Sequence, residues 1–200
     1  MAFHGLRERW REVAEITNVG PIARRYFVIG AFDGALTVLG IVIGTATTLG
    51  DTPTGSSFVV IISFAAALAL AISSTVGAYE AERVEKKVQS HSIERAMLAE
   101  LSREHKSAFR LATLYSAGIH GIAPLVAALI PIIPFLIMPF RNAAIFATVM
   151  TLVFLFGLGA YLGSLIRERI FITGLRFVGT GLGTALLLWS LGTIGIRIVP

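Results

Sequence analysis

The chain has 200 residues, a mean hydropathy of +0.79, a formal net charge of +5 and only 14% charged residues. Soluble domains carry about 25% charged residues, and here the apolar residues also gather into membrane-length blocks, which argues against a soluble protein. The absence of cysteine excludes disulfides, thiolate metal sites and cysteine nucleophiles. Because the basic residues flank apolar blocks, we expect them to meet anionic lipid headgroups and expect no nucleic acid partner.

The predicted elements begin with an N-terminal segment, residues 1–24. Leu6, Trp10 and Val13 recur there at helical spacing with charges between them. This pattern predicts an amphipathic helix that lies at the membrane interface.

Residues 25–200 are predicted to form an all-α transmembrane domain of five helices, which makes the chain a polytopic membrane protein. A polar segment, residues 79–110, separates the second and third helices and is expected to carry two short helices. The predicted spans cover about 27–49, 58–78, 111–137, 143–166 and 177–196.

The distribution of Lys and Arg predicts the orientation. With the N-terminus and the polar segment in the cytoplasm, fifteen of the seventeen basic residues lie inside, and only Arg141 and Arg197 lie outside. An even number of spans would spoil this asymmetry. We therefore expect the C-terminus on the far side of the membrane.

Asp33 is the only acidic residue well inside a predicted span. A carboxylate at the centre of a membrane helix costs about 2.5–3.5 kcal/mol on insertion scales, so it indicates a functional site by default. The alternative is that Asp33 stays hydrated near the interface or pairs with Arg24 or Arg25.

The polar segment is rich in carboxylates that suit a hard or borderline divalent ion such as Mn²⁺ or Fe²⁺. Its spacing places Met97, Glu100 and Glu104 on one face of a helix. A solvated, salt-bridged helix pair would look similar, because Lys and Arg residues interleave with the acids. The candidate metal ligands are Asp33, Glu80, Glu82, Glu85, Glu94, Met97, Glu100 and Glu104.

Two further polar residues lie at membrane depth. Ser74, near the end of span two, either lines a path or bonds the preceding turn. His120, in span three, either relays protons or forms a hydrogen bond between helices. Neither a nucleotide-binding loop nor a nucleophile elbow accompanies them, so we expect no enzymatic activity.

Span one reads GAFDGALTVLGIVIG from Gly30 to Gly44. This run, with its Asp-Gly pair, resembles the first span of the vacuolar iron transporter family, which includes the yeast calcium-cross-complementer type and many archaeal and bacterial members. The five spans, the single polar segment and a third span containing Pro124, Pro131 and Pro134 are similar to that family's plan.

The resemblance implies a homodimer with a metal path between its two first spans, where Asp33 matches the family's path aspartate. It implies export of Fe²⁺ or Mn²⁺ from the cytoplasm in exchange for protons, with the polar segment collecting the metal. It implies no cofactor beyond the transported ion. The location would be an integral, multi-pass one, in the plasma membrane if the source is prokaryotic.

Span two departs from the family pattern at two positions. Ser74 takes the place of a Met, and Ala78 takes the place of a Glu. Two alternatives therefore stay open: a non-transporting membrane scaffold that keeps the fold, and a transporter of a different cation.

Overall fold

The computed structural model describes residues 13–14, 16–49 and 53–198. Within these ranges the chain is helical, with no strand and with five long helices. Their bounds are α1 Val19–Thr48, α2 Pro53–Met97, α3 Arg103–Ile137, α4 Phe140–Leu165 and α5 Ile170–Ile198.

All five helices are long and apolar enough to cross a membrane, which confirms the predicted five-span, all-α fold. Large apolar side chains are exposed along them, among them Ile61, Ile72 and Leu186. A soluble fold would bury such residues, whereas a span can direct them into lipid.

The polar segment has a different helical structure from the expected one. Instead of two separate short helices, α2 continues unbroken to Met97 and α3 already begins at Arg103. The two helices extend the membrane spans, because nothing between Ala78 and Met97 breaks the helix. The break comes at Leu98, whose φ of 51° lies in the left-handed region.

The predicted N-terminal helix falls largely on residues 1–12 and 15, which lie outside the described residues. Residues 19–24 belong to α1. Val13 is buried and packs with Val19, Ala108 and Ala112 in a small apolar cluster.

The chain divides into two compact units. Unit 1 comprises the described residues up to Gly30 together with Ala71–Ala123, and unit 2 comprises Ala31–Leu70 together with the described residues from Pro124 onwards. The main apolar core of unit 2 is built from one face each of α1, α2, α3 and α4. Its buried members are Val38, Val42, Val59, Ala67, Ala128, Ile132, Phe135, Phe140, Ala143 and Ala147.

Gly34, the second residue of the Asp-Gly pair, lets α1 and α3 approach within unit 2. A Cβ atom at this position would lie 2.5 Å from the carbonyl oxygen of Pro124 and 2.6 Å from its Cα. Because both atoms belong to the backbone, no side-chain rotation relieves the overlap. The Gly of the sequence motif is therefore required by helix packing.

The last two helices also meet at glycines. A Cβ atom at Gly159 would lie 2.7 Å from the carbonyl oxygen of Thr173, and one at Gly163 would lie 3.1 Å from the Cα of Ile170. Small residues four apart allow such close backbone contact in lipid.

Replacement of Gly34 by Ala is expected to destabilise the fold by about 1–3 kcal/mol, the usual cost of overpacking a rigid site. The midpoint of thermal unfolding in detergent should fall accordingly. Gly157→Ala is the matched control, because Gly157 lies inside α4 of the same unit and a Cβ atom there meets nothing within 4 Å. Equal midpoints for the two variants would contradict the close contact at Gly34.

Candidate functional site

Asp33 lies in the middle of α1, and its side chain is exposed. Ala31 and Ala35, which are fully buried, point to the opposite side of the helix, about 160° away. Gly40 and Gly44 lie within about 20° of Asp33 on the same face. The carboxylate is thus exposed on the first span and in line with two small residues, of which Gly40 lies near the Leu188 side chain of α5 and Gly44 meets nothing.

Glu82 is a second acid with a very different environment. It is 5% exposed, its Oε1 accepts a hydrogen bond of 3.0 Å from the Tyr26 hydroxyl, and the Arg25 guanidinium lies 4.0 Å away. A buried carboxylate is tolerated when it is both paired and hydrogen-bonded. This acid is therefore satisfied within unit 1 by groups on α1.

His120 is held by the same stretch of α1. Its Nδ1 lies 2.8 Å from the carbonyl oxygen of Tyr26, and the two rings are 4.9 Å apart. A carbonyl oxygen only accepts, so Nδ1 carries the hydrogen, and Nε2 is the acceptor whenever the ring is neutral. The hydrogen-bonded interpretation of His120 agrees with this geometry, and its role as a relay stays a prediction.

The hydroxyl groups near the end of span two serve local packing. Ser74 is half-buried in α2. Thr75, beside it, donates 2.7 Å to the carbonyl oxygen of Ala71, and its side chain lies where a Cβ atom at Gly121 would be. A path-lining role for Ser74 stays a prediction.

The remaining acids of the polar segment are mostly engaged with basic neighbours. Glu80 pairs with Arg83 at 3.2 Å, while Glu94 and Glu100 both pair with Lys106, at 3.2 and 3.4 Å. Glu85 and Glu104 are exposed. Among the described residues, no three His, Asp or Glu side chains gather into a candidate metal site. Their metal-collecting role stays a prediction.

The expected shared helical face of Met97, Glu100 and Glu104 is wrong. Met97 ends α2, Glu100 lies in the connection, and Glu104 belongs to the first turn of α3. The left-handed backbone at Leu98 interrupts the helical spacing on which the expectation rested. Met97 and Glu100 still meet at one cavity, which His105 also lines.

Side-chain caps hold this connection in place. The Glu94 carboxylate accepts a 3.1 Å hydrogen bond from the Leu101 N–H, and Ser102 Oγ accepts one of 3.3 Å from the His105 N–H. Ser102 is thus the N-cap of α3, with the accepting side chain three residues before the donor. A Ser at this position is a sequence signal for a helix start, which could have located the break.

The sequence reasoning also missed Tyr26 as a partner of Glu82. Tyr26 carries no motif, and the two residues are 56 positions apart. Only the packing of α1 against α2 in unit 1 brings them together.

Fold and site together define a class of protein: a five-span α-helical membrane protein with an unburied carboxylate in the middle of its first span. The profile of the VIT family matches residues 24–115 and 94–193. The uncharacterized protein MJ0645 of Methanocaldococcus jannaschii is 28% identical over 184 residues, which cover 88% of this chain and 93% of that protein. The chain belongs to the VIT family of vacuolar iron transporters, whose activity is the transport of metal ions such as iron and manganese across membranes.

The Glu94 contacts give a pH-dependent prediction for the connection between α2 and α3. The Leu101 N–H and then the Lys106 ammonium hold the pKa of Glu94 below its usual range. A depressed carboxyl pKa stabilises the fold above the pKa of the unfolded chain, about 4.3, and this contribution is lost as pH falls through the folded-state pKa.

Glu94→Gln should therefore lower the thermal midpoint at pH 7, and its difference from the wild type should shrink as the pH falls through the folded-state pKa of Glu94. Glu85→Gln is the control, because Glu85 is exposed and makes no hydrogen bond or ion pair with a described residue. Unfolding curves recorded from pH 7 to pH 3 provide the measurement. A constant Glu94→Gln deficit across this range would contradict the assignment.

Proposed function

We propose that the protein exports Fe²⁺ or Mn²⁺ from the cytoplasm in exchange for protons, as a homodimer whose two Asp33 carboxylates face each other. The observation that carries this proposal is the exposure of Asp33 in the middle of an apolar helix. A carboxylate left against acyl chains costs about 2.5–3.5 kcal/mol, so another surface, water or an ion must cover it.

A second copy of α1 would suit this role. Gly40 and Gly44 share the face of Asp33, and a Cβ atom at Gly44 would meet nothing within 4 Å in a single chain. Glycines four apart permit close approach of two membrane helices. Two such helices would bring two carboxylates to one level of the membrane.

Paired carboxylates match the chemistry of the proposed cargo. Fe²⁺ and Mn²⁺ bind oxygen ligands, and two carboxylates can replace part of the ion's hydration shell while neutralising its charge. Protonation of Asp33 from the far side would remove that negative charge and release the ion. The same two groups would thus couple metal export to proton entry.

The cytoplasmic supply of metal is proposed for the polar segment. Glu85 and Glu104 have exposed carboxylates, and Met97 and Glu100 line a common cavity. In this proposal these four residues deliver the ion toward the Asp33 pair. The positive-inside distribution supports a cytoplasmic position for this segment.

A transport assay tests the central residue. Asp33→Asn should reduce Mn²⁺ or Fe²⁺ uptake into proteoliposomes to the level of protein-free liposomes, because the neutral amide cannot balance the charge of the ion. Glu168→Gln is the control, since this surface acid pairs only with exposed Arg176 in the described structure and should leave uptake unchanged. Uptake by Asp33→Asn at the control rate would remove Asp33 from the mechanism.

Dimer formation and the coupling of metal transport to protons are tested by two separate measurements. Light scattering on the Asp33→Asn variant should still report a dimer, so that the loss of uptake is not a loss of assembly. Wild-type uptake should respond to an imposed pH gradient, whereas uptake that ignores the gradient would contradict proton exchange.

Two observations favour a second candidate, the non-transporting scaffold. Several acids of the polar segment are occupied by Lys and Arg, and Ser74 and Ala78 replace metal-binding residue types of the family pattern. A purified protein that binds neither Mn²⁺ nor Fe²⁺ at micromolar concentration would support the scaffold. Binding of another cation with competition in the flux assay would support the different-cation transporter.

A further inference from the structure

A cavity of about 650 Å³ opens between the polar parts of α2 and α3 in unit 1. Five of its lining side chains are Lys or Arg, while Glu94 is the only acidic lining residue among those the structure describes. We call it the basic cavity. Its cationic lining residues are Arg83, Lys86, Lys87, Lys106 and Arg110.

The carboxylate of Glu94 already has an ion-pair partner and a hydrogen-bond donor. Its carboxylate binds the Lys106 ammonium at 3.2 Å and the Leu101 N–H at 3.1 Å. Arg83 is engaged by Glu80. Lys86, Lys87 and Arg110 form no ion pair with any described residue, so within the described part of the chain no acid compensates their charges.

The unpaired positive charge is most costly at Lys86, because this residue is only 8% exposed to solvent. Its Nζ donates 3.3 Å to the Gln89 amide oxygen and lies 5.5 Å from the centre of the Phe109 ring. These contacts replace water only in part, and a buried ammonium ordinarily requires an anionic partner. The cavity beside it has room for one.

The other lining groups fit an oxyanion. Tyr79, Ser90 and Thr113 bring hydroxyl groups, and His91 brings a ring nitrogen, to the same space. Tyr79 also follows the apolar part of α2, so one end of the cavity lies where the predicted span ends. Basic pockets at the ends of membrane helices bind phosphate-bearing headgroups through charge-assisted hydrogen bonds.

We propose that the basic cavity binds a phosphate group, supplied either by an anionic phospholipid headgroup or by free phosphate, with Lys86, Lys87 and Arg110 as its ligands. This is an anion site in a protein whose family carries cations. The proposal depends neither on Asp33 nor on the transport mechanism, since it rests on the charges and burial of unit 1 alone.

The test measures the thermal midpoint of the full-length protein in neutral detergent as ligand is added. Phosphatidylglycerol and inorganic phosphate are the two probes, with phosphatidylcholine and chloride at equal ionic strength as their controls. A ligand that binds only the folded state raises the midpoint in a saturable way. A rise with inorganic phosphate assigns the free ion, and a rise with phosphatidylglycerol alone assigns the headgroup.

Two charge-matched variants locate the site. Lys87→Gln/Arg110→Gln removes two exposed ligands, and binding should weaken at least about tenfold, because one charge-assisted hydrogen bond is typically worth that much. Arg95→Gln/Arg103→Gln removes the same charge from exposed residues of the polar segment that do not line the basic cavity, and should bind as the wild type does. No saturable rise with either probe, or equal loss in both double variants, would overturn the proposal.

Lys86→Met gives an independent check on the buried ligand. Without an anion the variant should be at least as stable as the wild type, because it no longer buries an uncompensated charge, and it should gain less from the ligand. A variant that is less stable yet gains as much as the wild type would remove Lys86 from the site.

Discussion

Hydrocarbon supplies no hydrogen bonds, so each polar group carried into the membrane must find its partner in protein, in water or in an ion. This constraint explains why the chain is helical throughout its described spans, where the backbone satisfies itself. Two acids of the chain differ in whether they have found such a partner. Glu82 is closed off by Tyr26 and Arg25, whereas the Asp33 side chain is left exposed on a single chain.

The distinction between these acids supports the different roles that we propose for them. A carboxylate that already holds a hydroxyl and a guanidinium has little capacity left for a passing cation, and its loss would first disturb the packing of α1 on α2. A carboxylate without such partners keeps its capacity for an ion or a facing subunit. Membership of the VIT family agrees with binding of a metal ion, because members of this family transport metal ions across membranes.

In the polar segment, too, charged side chains need partners, but there the charges that the described residues leave unpaired are mainly positive. Its acids are largely satisfied by Lys and Arg in the same chain, and the charge left over around the basic cavity is positive. The proposed metal collection by Glu85 and Glu104 and the proposed phosphate binding by Lys87 and Arg110 are compatible, since they use different side chains of α2 and α3. An anion held there would also offset the repulsion between the protein's unpaired cations and an arriving metal ion.

The sequence by itself determined the number of spans and showed that Asp33 is the only acid well inside a predicted span. Both can be read from a continuous stretch of sequence, because they depend only on its hydropathy and on the cost of a charge within it. The Asp-Gly pair and the plan of spans also sufficed to indicate the family. The end of α2 at Met97 depended on a capped connection, whose Ser102 signal was weak beside the polar pattern around it. Only the tertiary structure decided that Gly34 lies against the backbone of Pro124 and that Tyr26 satisfies Glu82. Such contacts join residues far apart in the chain, and no local pattern records which helix faces meet.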